Sequence, residues 1–220
     1  MMKRLFDLLA ASIALVLVSP VMAAAALGIA VSSRGPLLYR AHRAGLGGRA
    51  FTMYKLRTMH VRTTAGSSIT AGNDPRVFAF GRLLRALKID ELPQLLNVIR
   101  GDMSIVGPRP EALDIVERHY TPAYHRTLEV RPGLTSPGSV EYYRSGEQLL
   151  QDGDAEDFYV RRLLPVKMEL DLRYLETAGV VSDIRVILET MQVLIRRALG
   201  WNHPTDTFGC GPAECGPATR

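Results

Sequence analysis

Cysteine is almost missing from this chain. Its two cysteines, Cys210 and Cys215, lie near the C-terminus, so no disulfide framework holds the body. The five histidines are scattered without metal-ligand spacing, which leaves no zinc-type site to read. Aromatic residues reach only 7%. That is thin for a base-stacking platform, and no recognition motif appears, so nucleic acid is not expected as a partner. Acidic residues are outnumbered, 22 against 27 Lys and Arg, for a net charge of +5. A basic balance points to an anionic partner, such as a phospholipid surface or a phosphorylated substrate.

Charge is absent from Leu8 to Val31, a run of 24 residues. A bilayer span takes about 20. Three readings fit this run: a cleaved signal peptide with Lys3 and Arg4 as its basic start, a single spanning anchor, or a re-entrant segment that enters and leaves on one face. Two features favour the third. Pro20 removes a helix hydrogen bond near the middle of the run, and Ser19 before it can satisfy a freed backbone group. Lys3 and Arg4 flank one end while Arg34, Arg40, Arg43 and Arg49 follow the other, so both ends suit the cytoplasmic side. Asp7 is expected at the interface.

The 220 residues suit one domain with appendages. The divisions expected are a membrane segment over 1–33, a main domain over 34–200 and a disordered tail over 201–220. Residues 36–59 read as strand, turn, strand, with Phe51, Met53, Lys55 and Arg57 on one side. Residues 60–75 read as a mobile polar loop. A basic amphipathic helix follows, with Asp74 as cap, Pro75 at its first position and Arg82, Arg85 and Lys88 along one flank. Beyond Pro110 the pattern gives helix, turn, helix, then a turn-rich stretch from Val130, then a helical or extended segment after Pro165. A clear helix closes the body, capped by Ser182 or Asp183, with Ile187, Met191, Leu194 and Ile195 as its apolar stripe.

The most informative stretch is LKIDELPQLLNVIRGDMSIVGPRP, residues 87–110. Asp90 reads as a helix N-cap, Pro93 suits the first turn, and Leu92, Leu95, Leu96 and Ile99 form the stripe before Gly101 closes the helix. Asp90 and Glu91 would then favour the positive end of the helix dipole and nothing more. Their neighbours argue for chemistry. Arg85 and Lys88 arrive from the preceding helix and Arg109 from a proline-held turn, which gathers cations beside two carboxylates as phosphoryl transfer requires. Arg131, in VRPG, fits a substrate phosphate and a structural role equally.

Taken in order, KRLFDLLAASIALVLVSP, MYKLRTM, LLRALKIDELPQLLNVIRGDMSIVGPRP, VRPGLTS and ELDLRYL resemble the bacterial sugar transferase family, the small monotopic phosphoglycosyl transferases that act on polyprenyl phosphate. The resemblance covers most of residues 2–195. It implies an α+β, mostly helical monotopic membrane enzyme with an N-terminal re-entrant helix and a small β element. It implies transfer of a phosphosugar from a UDP-sugar to undecaprenyl phosphate with release of UMP, at the cytoplasmic face of the bacterial inner membrane. Asp90 would be the nucleophile, forming an aspartyl-phosphosugar intermediate, and Glu91 would position Mg²⁺ or the lipid phosphate. Lys55, Arg85, Arg109 and Asp171 would belong to the same region, and Ser19-Pro20 would be the membrane breakpoint. The residues after RPGLT depart from the family's pattern, which leaves the sugar unnamed, and the Gly-Pro-Cys tail has no counterpart. Membrane lipids are expected partners, and a homodimer is left open. The competing reading is a non-catalytic membrane scaffold with basic lipid-binding faces.

Overall fold

A computed structural model describes residues 2–61, 74–144 and 155–201. Most of the expected loop over 60–75 and all but Trp201 of the expected tail lie outside the described residues.

The uncharged run folds as one long helix, α1 (Met2–Ser32), apolar and long enough to cross a bilayer. It passes through Pro20 without interruption. The ring leaves the Val16 carbonyl without its usual donor, and the Ser19 hydroxyl donates to that oxygen at 2.8 Å. Helical hydrogen bonding therefore continues on both sides of the expected breakpoint, and Ser19 takes its expected role there. Both ends of α1 are tied to the same body. Near the start, Arg4 donates to the Val98 and Ile99 carbonyls, and Lys3 forms an ion pair with Asp183. Near the end, Ala25 and Ile29 pack with Leu56, Phe78 and Leu84. Between these anchorages Val16, Leu17 and Val21 stay exposed.

Asp7 corrects its expectation. It is buried, accepting the Ser104 hydroxyl at 2.8 Å and the Ile105 amide at 3.1 Å. The carboxylate satisfies a backbone donor at the strand edge beside it, a role that spacing within the apolar run cannot reveal.

The hairpin forms as read, β1 (Leu38–Ala44) against β2 (Ala50–Leu56), antiparallel with Tyr39 opposite Lys55 and Arg43 opposite Phe51. Lys55 and Arg57 do not share a destination, however. Arg57 lies past the strand end and caps α1, donating to the Pro36 carbonyl and to both oxygens of Ser33.

Helix α2 (Ala79–Ala86) starts four residues later than expected, because Asp74 is occupied in an ion pair with Arg76. A short 3₁₀ turn over Ile89–Glu91 leads to α3 (Gln94–Arg100), which Gly101 closes at φ 94. Strand β3 (Ser104–Val106) then pairs in parallel with β4 (Gly133–Thr135). Between them run α4 (Leu113–His119), α5 (Pro122–His125) and a 3₁₀ turn. The approach of the two strands leaves no space for a side chain: a Cβ on Gly133 would sit 2.2 Å from the Gly107 backbone. Glycine is thus required where GPRP meets RPGLT.

The turn-rich reading after β4 is corrected by a helix, α6 (Pro137–Arg144). Helix α7 (Ala155–Phe158) runs through a wide π-type turn into α8 (Leu164–Glu176), and α9 (Val180–Ala198) completes the body. α9 is capped by Gly179, whose N–H donates to Ser182, and it buries Val186 and Val193. Met191 and Ile195, expected in the core, are exposed. The fold is mostly helical with small β elements and one long apolar N-terminal helix, consistent with a monotopic membrane anchor.

Asp7→Ala is expected to lower stability by about 1–3 kcal/mol, the cost of leaving a buried donor unpaired. Urea unfolding of detergent-held protein measures it. Unchanged stability would mean that Asp7 does not tie α1 to β3.

Candidate functional site

The 3₁₀ turn that holds Asp90 and Glu91 follows Lys88 at φ 55 and ψ 20, the sole non-glycine residue with positive φ among the described residues. A lysine in the left-handed region is strained, and such strain gathers at functional sites. The turn corrects the cap reading. Pro93 is the N-cap of α3, and Asp90 sits before it, buried, with Oδ1 lacking any hydrogen-bond partner.

Glu91 has the opposite character. Its Oε1 accepts Lys55 Nζ at 3.1 Å and the Arg109 guanidinium, while Oε2 accepts the Tyr143 hydroxyl at 3.3 Å. Lys55 comes from β2, Arg109 from the turn after β3, and Tyr143 from α6. One carboxylate therefore draws three separate elements together.

These residues wall a pocket at the junction of two core clusters, where Tyr142 packs against both. Its cations are Arg43, Lys55, Arg85, Lys88, Arg109 and Lys167; its carboxylates are Asp90, Glu91 and Glu111. Arg85 also donates to Thr58 Oγ1 at 2.9 Å. The Lys88 ammonium lies 4.3 Å from the Tyr143 ring centroid, and the Arg109 guanidinium 5.7 Å from it.

The two adjacent acids are driven apart in acidity. Burial and then the Glu91 charge raise the Asp90 pKa above its ordinary value. Burial would also raise Glu91, but Arg109 and Lys55 outweigh it and hold Glu91 well below the usual carboxylate range. Burial lowers Lys55, against the opposing pull of Glu91. Glu91 is thus a fixed anion that binds cations. Asp90 is an underused carboxylate, costly to keep charged until something positive or electrophilic arrives.

The sequence expectations divide. Lys55, Arg85, Asp90, Glu91 and Arg109 all line the pocket. Asp171 does not line it but supports it from behind: fully buried on α8, it accepts the Gly138 amide at 2.8 Å and the Ser136 hydroxyl at 3.2 Å, capping α6 from a distance, and it interacts with the Arg109 backbone. Arg131 lies away from the pocket and donates to the Gly101 carbonyl at 2.8 Å, at the end of α3. Sequence reasoning missed Arg43, Glu111, Tyr142, Tyr143, Tyr159 and Lys167 as site residues. Glu111 directly follows GPRP and was within reach; the others arrive from segments whose spacing carries no chemical signal.

Magnesium is a matter of fit. Both Glu91 oxygens are engaged, and among the described residues no group of three or more metal-ligating side chains occurs. Asp90 keeps a buried oxygen, Oδ1, without a hydrogen-bond partner. One carboxylate completed by substrate phosphates and water is an ordinary Mg²⁺ environment.

A helical body behind one long apolar helix, consistent with a membrane anchor, presents a buried carboxylate in a cation-walled pocket that suits an anionic phosphorylated ligand. The chain belongs to the bacterial sugar transferase family, whose model matches residues 1–197. It is 40% identical over 196 residues to a UDP-glucose:undecaprenyl-phosphate glucose-1-phosphate transferase of Caulobacter vibrioides, covering 88% of this chain and 69% of that protein. It is 35% identical to an Aeromonas hydrophila UDP-N-acetylgalactosamine-undecaprenyl-phosphate N-acetylgalactosaminephosphotransferase, across 88% of this chain but 43% of the relative. An exopolysaccharide production protein of Rhizobium leguminosarum is 32% identical, covering 91% of this chain and 98% of that one.

Two outcomes test the electrostatics. Glu91→Gln removes the like charge beside Asp90 and releases Lys55 and Arg109, so the Asp90 carboxyl is expected to titrate at lower pH; a carboxyl-carbon NMR titration reads the shift, and an upward shift would contradict it. Asp171 is pushed up to about 6 by burial, above its ordinary 3.8. A raised carboxyl contributes stability below about pH 4 that is lost as pH rises through about 6. Asp171→Asn keeps an acceptor for Gly138 without the charge. Its melting temperature is therefore expected to gain on the parent protein's between about pH 4 and pH 7. A constant difference across that range would place the shift elsewhere.

Proposed function

We propose that this chain transfers a phosphosugar from a UDP-sugar to undecaprenyl phosphate and releases UMP, through a covalent intermediate on Asp90. The observation that carries the reading is the unpartnered Asp90 Oδ1, buried in a pocket with six cationic side chains. The relatives' names supply the donor and acceptor classes, and they differ in the sugar.

In the first step an Asp90 oxygen attacks the β-phosphorus of the donor. The bond from that phosphorus to the bridging oxygen breaks, UMP leaves with the electron pair, and an aspartyl phosphodiester to the sugar remains. In the second step an oxygen of the lipid phosphate attacks the same phosphorus and Asp90 departs as carboxylate. Division into two steps lets a soluble donor and a membrane-held acceptor use one nucleophile in turn. Attack by a carboxylate on a pyrophosphate is opposed by charge repulsion. Arg109, planar and held by Glu91, suits bidentate phosphate contacts, while Lys55, Lys88 and Arg85 supply further positive charge. Mg²⁺, held through Asp90 and the donor phosphates, would neutralise charge on the pyrophosphate. Desolvation makes the Asp90 carboxylate a better nucleophile than one in water.

The setting agrees with a lipid acceptor. Both ends of α1 are fixed to one body while its apolar middle is exposed, which fits a segment that enters one leaflet and returns, with the domain on the cytoplasmic face. The scaffold alternative has no observation in its favour, since a headgroup-binding surface gains nothing from a buried unpaired carboxylate.

The test uses protein in nanodiscs with Mg²⁺, undecaprenyl phosphate and a panel of UDP-sugars. Lipid-dependent UMP is expected from one or more donors, falling at least about 1,000-fold in Asp90→Asn. Chelation of divalent ions is expected to abolish it as well. UDP in place of UMP would contradict the reaction type, and an active Asp90→Asn would contradict the covalent route.

A further inference from the structure

Glu111 is unexplained by phosphate binding. A third carboxylate repels an anionic ligand, yet this one is buried at the pocket wall. Lys167, itself buried, offsets its charge: Nζ donates to Oε1 at 2.7 Å, and the Tyr159 hydroxyl donates to the same oxygen at 2.6 Å. Lys167 also contacts the Tyr159 hydroxyl. Both donors use Oε1. Oε2 takes no hydrogen bond among the described residues and is not one of the sealed, unpartnered atoms, so it opens on the pocket. The carboxylate is fixed on one side and free to accept on the other.

Its surroundings suit a neutral polyol better than another anion. The Tyr142 and Tyr159 rings meet edge-on, with centroids 6.4 Å apart. Arg43 Nε nearby is buried without a partner. The backbone holds this corner in place, since the Ala44 amide donates to the Glu111 carbonyl at 3.0 Å and Arg43 bridges to Ala112.

The location follows from chain geometry. Arg109 precedes a proline and is thereby biased to extended backbone, so side chains 109 and 111 project the same way about 7 Å apart along the chain. Arg109 and Tyr143 meet at Glu91, beside Asp90; Glu111 and Tyr142 are the next members of the same two segments. One hexose spans roughly that step from the phosphorus that Asp90 would attack.

We infer that Glu111 Oε2 accepts a hydrogen bond from a hydroxyl of the donor's sugar, fixed for that purpose by Lys167 and Tyr159, and so helps determine which sugar is transferred. The inference rests on the transfer reading above. It assigns the corner to the sugar and not to the nucleotide.

The experiment compares the parent protein, Glu111→Gln and the double variant Glu111→Gln/Lys167→Met, in nanodiscs. The double variant removes the buried pair together and leaves no unpaired charge to unfold the chain. The substrates are UDP-glucose, or whichever donor releases UMP, and its monodeoxy analogues. The parent protein is expected to lose about 10- to 100-fold in kcat/KM on one analogue. Both variants should lose a similar factor on the full donor and little more on that analogue, with inhibition by UMP unchanged. A uniform loss across all donors would reduce Glu111 to a structural role. A matching loss of UMP affinity would move it to the nucleotide, and a parent protein that discriminates against no analogue would overturn the assignment. If the parent protein releases no UMP from any donor, the transfer reading itself fails, and this inference fails with it.

Discussion

The site depends on one carboxylate that binds three partners at once. Glu91 takes an ammonium from the hairpin, a guanidinium from the turn after β3 and a phenol from α6. No two of these elements are neighbours in sequence. Without a buried anion at their meeting point, Lys55 and Arg109 would repel each other and the pocket would open. Removing one partner from a buried ionic cluster costs about 3–5 kcal/mol, so the same contacts that gather the pocket's cations also join the halves of the fold.

The same arrangement sets the acidity of the neighbouring residue. Each cation that Glu91 engages is partly neutralised before it can reach Asp90, and the Glu91 charge itself disfavours a second anion beside it. Asp90 is left desolvated and unpartnered, behind a lysine in strained backbone. A carboxylate in that state gains most from an electrophile that brings its own counterion. The protein thus keeps one acid as scaffold and the other in reserve, from two adjacent residues of one turn.

Part of this was legible in the sequence. The hairpin, the basic segment before Asp90, the Asp-Glu pair, the GPRP turn and the closing helix all carry local signals, and the pocket residues Lys55, Arg85, Lys88, Asp90, Glu91 and Arg109 lie on them. What failed were inferences that depend on distant partners. SPGSVEYYR reads as turn because of its proline and glycine, but Asp171, on α8, supplies the missing cap. Asp74 reads as a cap, yet Arg76 claims it first. Asp7 reads as interfacial because its neighbours in sequence are apolar, while its partners lie near residue 105. In α9 the apolar residues spread around more than one face, and only packing decides that Val186 and Val193 go inward. Arg131 donates to the end of α3, and Asp171 caps α6 while also meeting the Arg109 backbone, contacts that no local spacing reveals.

The most direct measurement is of Asp90 itself. The protein would be incubated with a donor UDP-sugar and no lipid, quenched, and analysed by mass spectrometry of intact protein and of the peptide that contains Asp90. The account predicts a phosphosugar adduct on that residue, formed together with a stoichiometric burst of UMP and discharged when undecaprenyl phosphate is added. Lipid-dependent UMP release with no adduct and no burst would contradict it, and would mean that donor and acceptor react directly in the pocket.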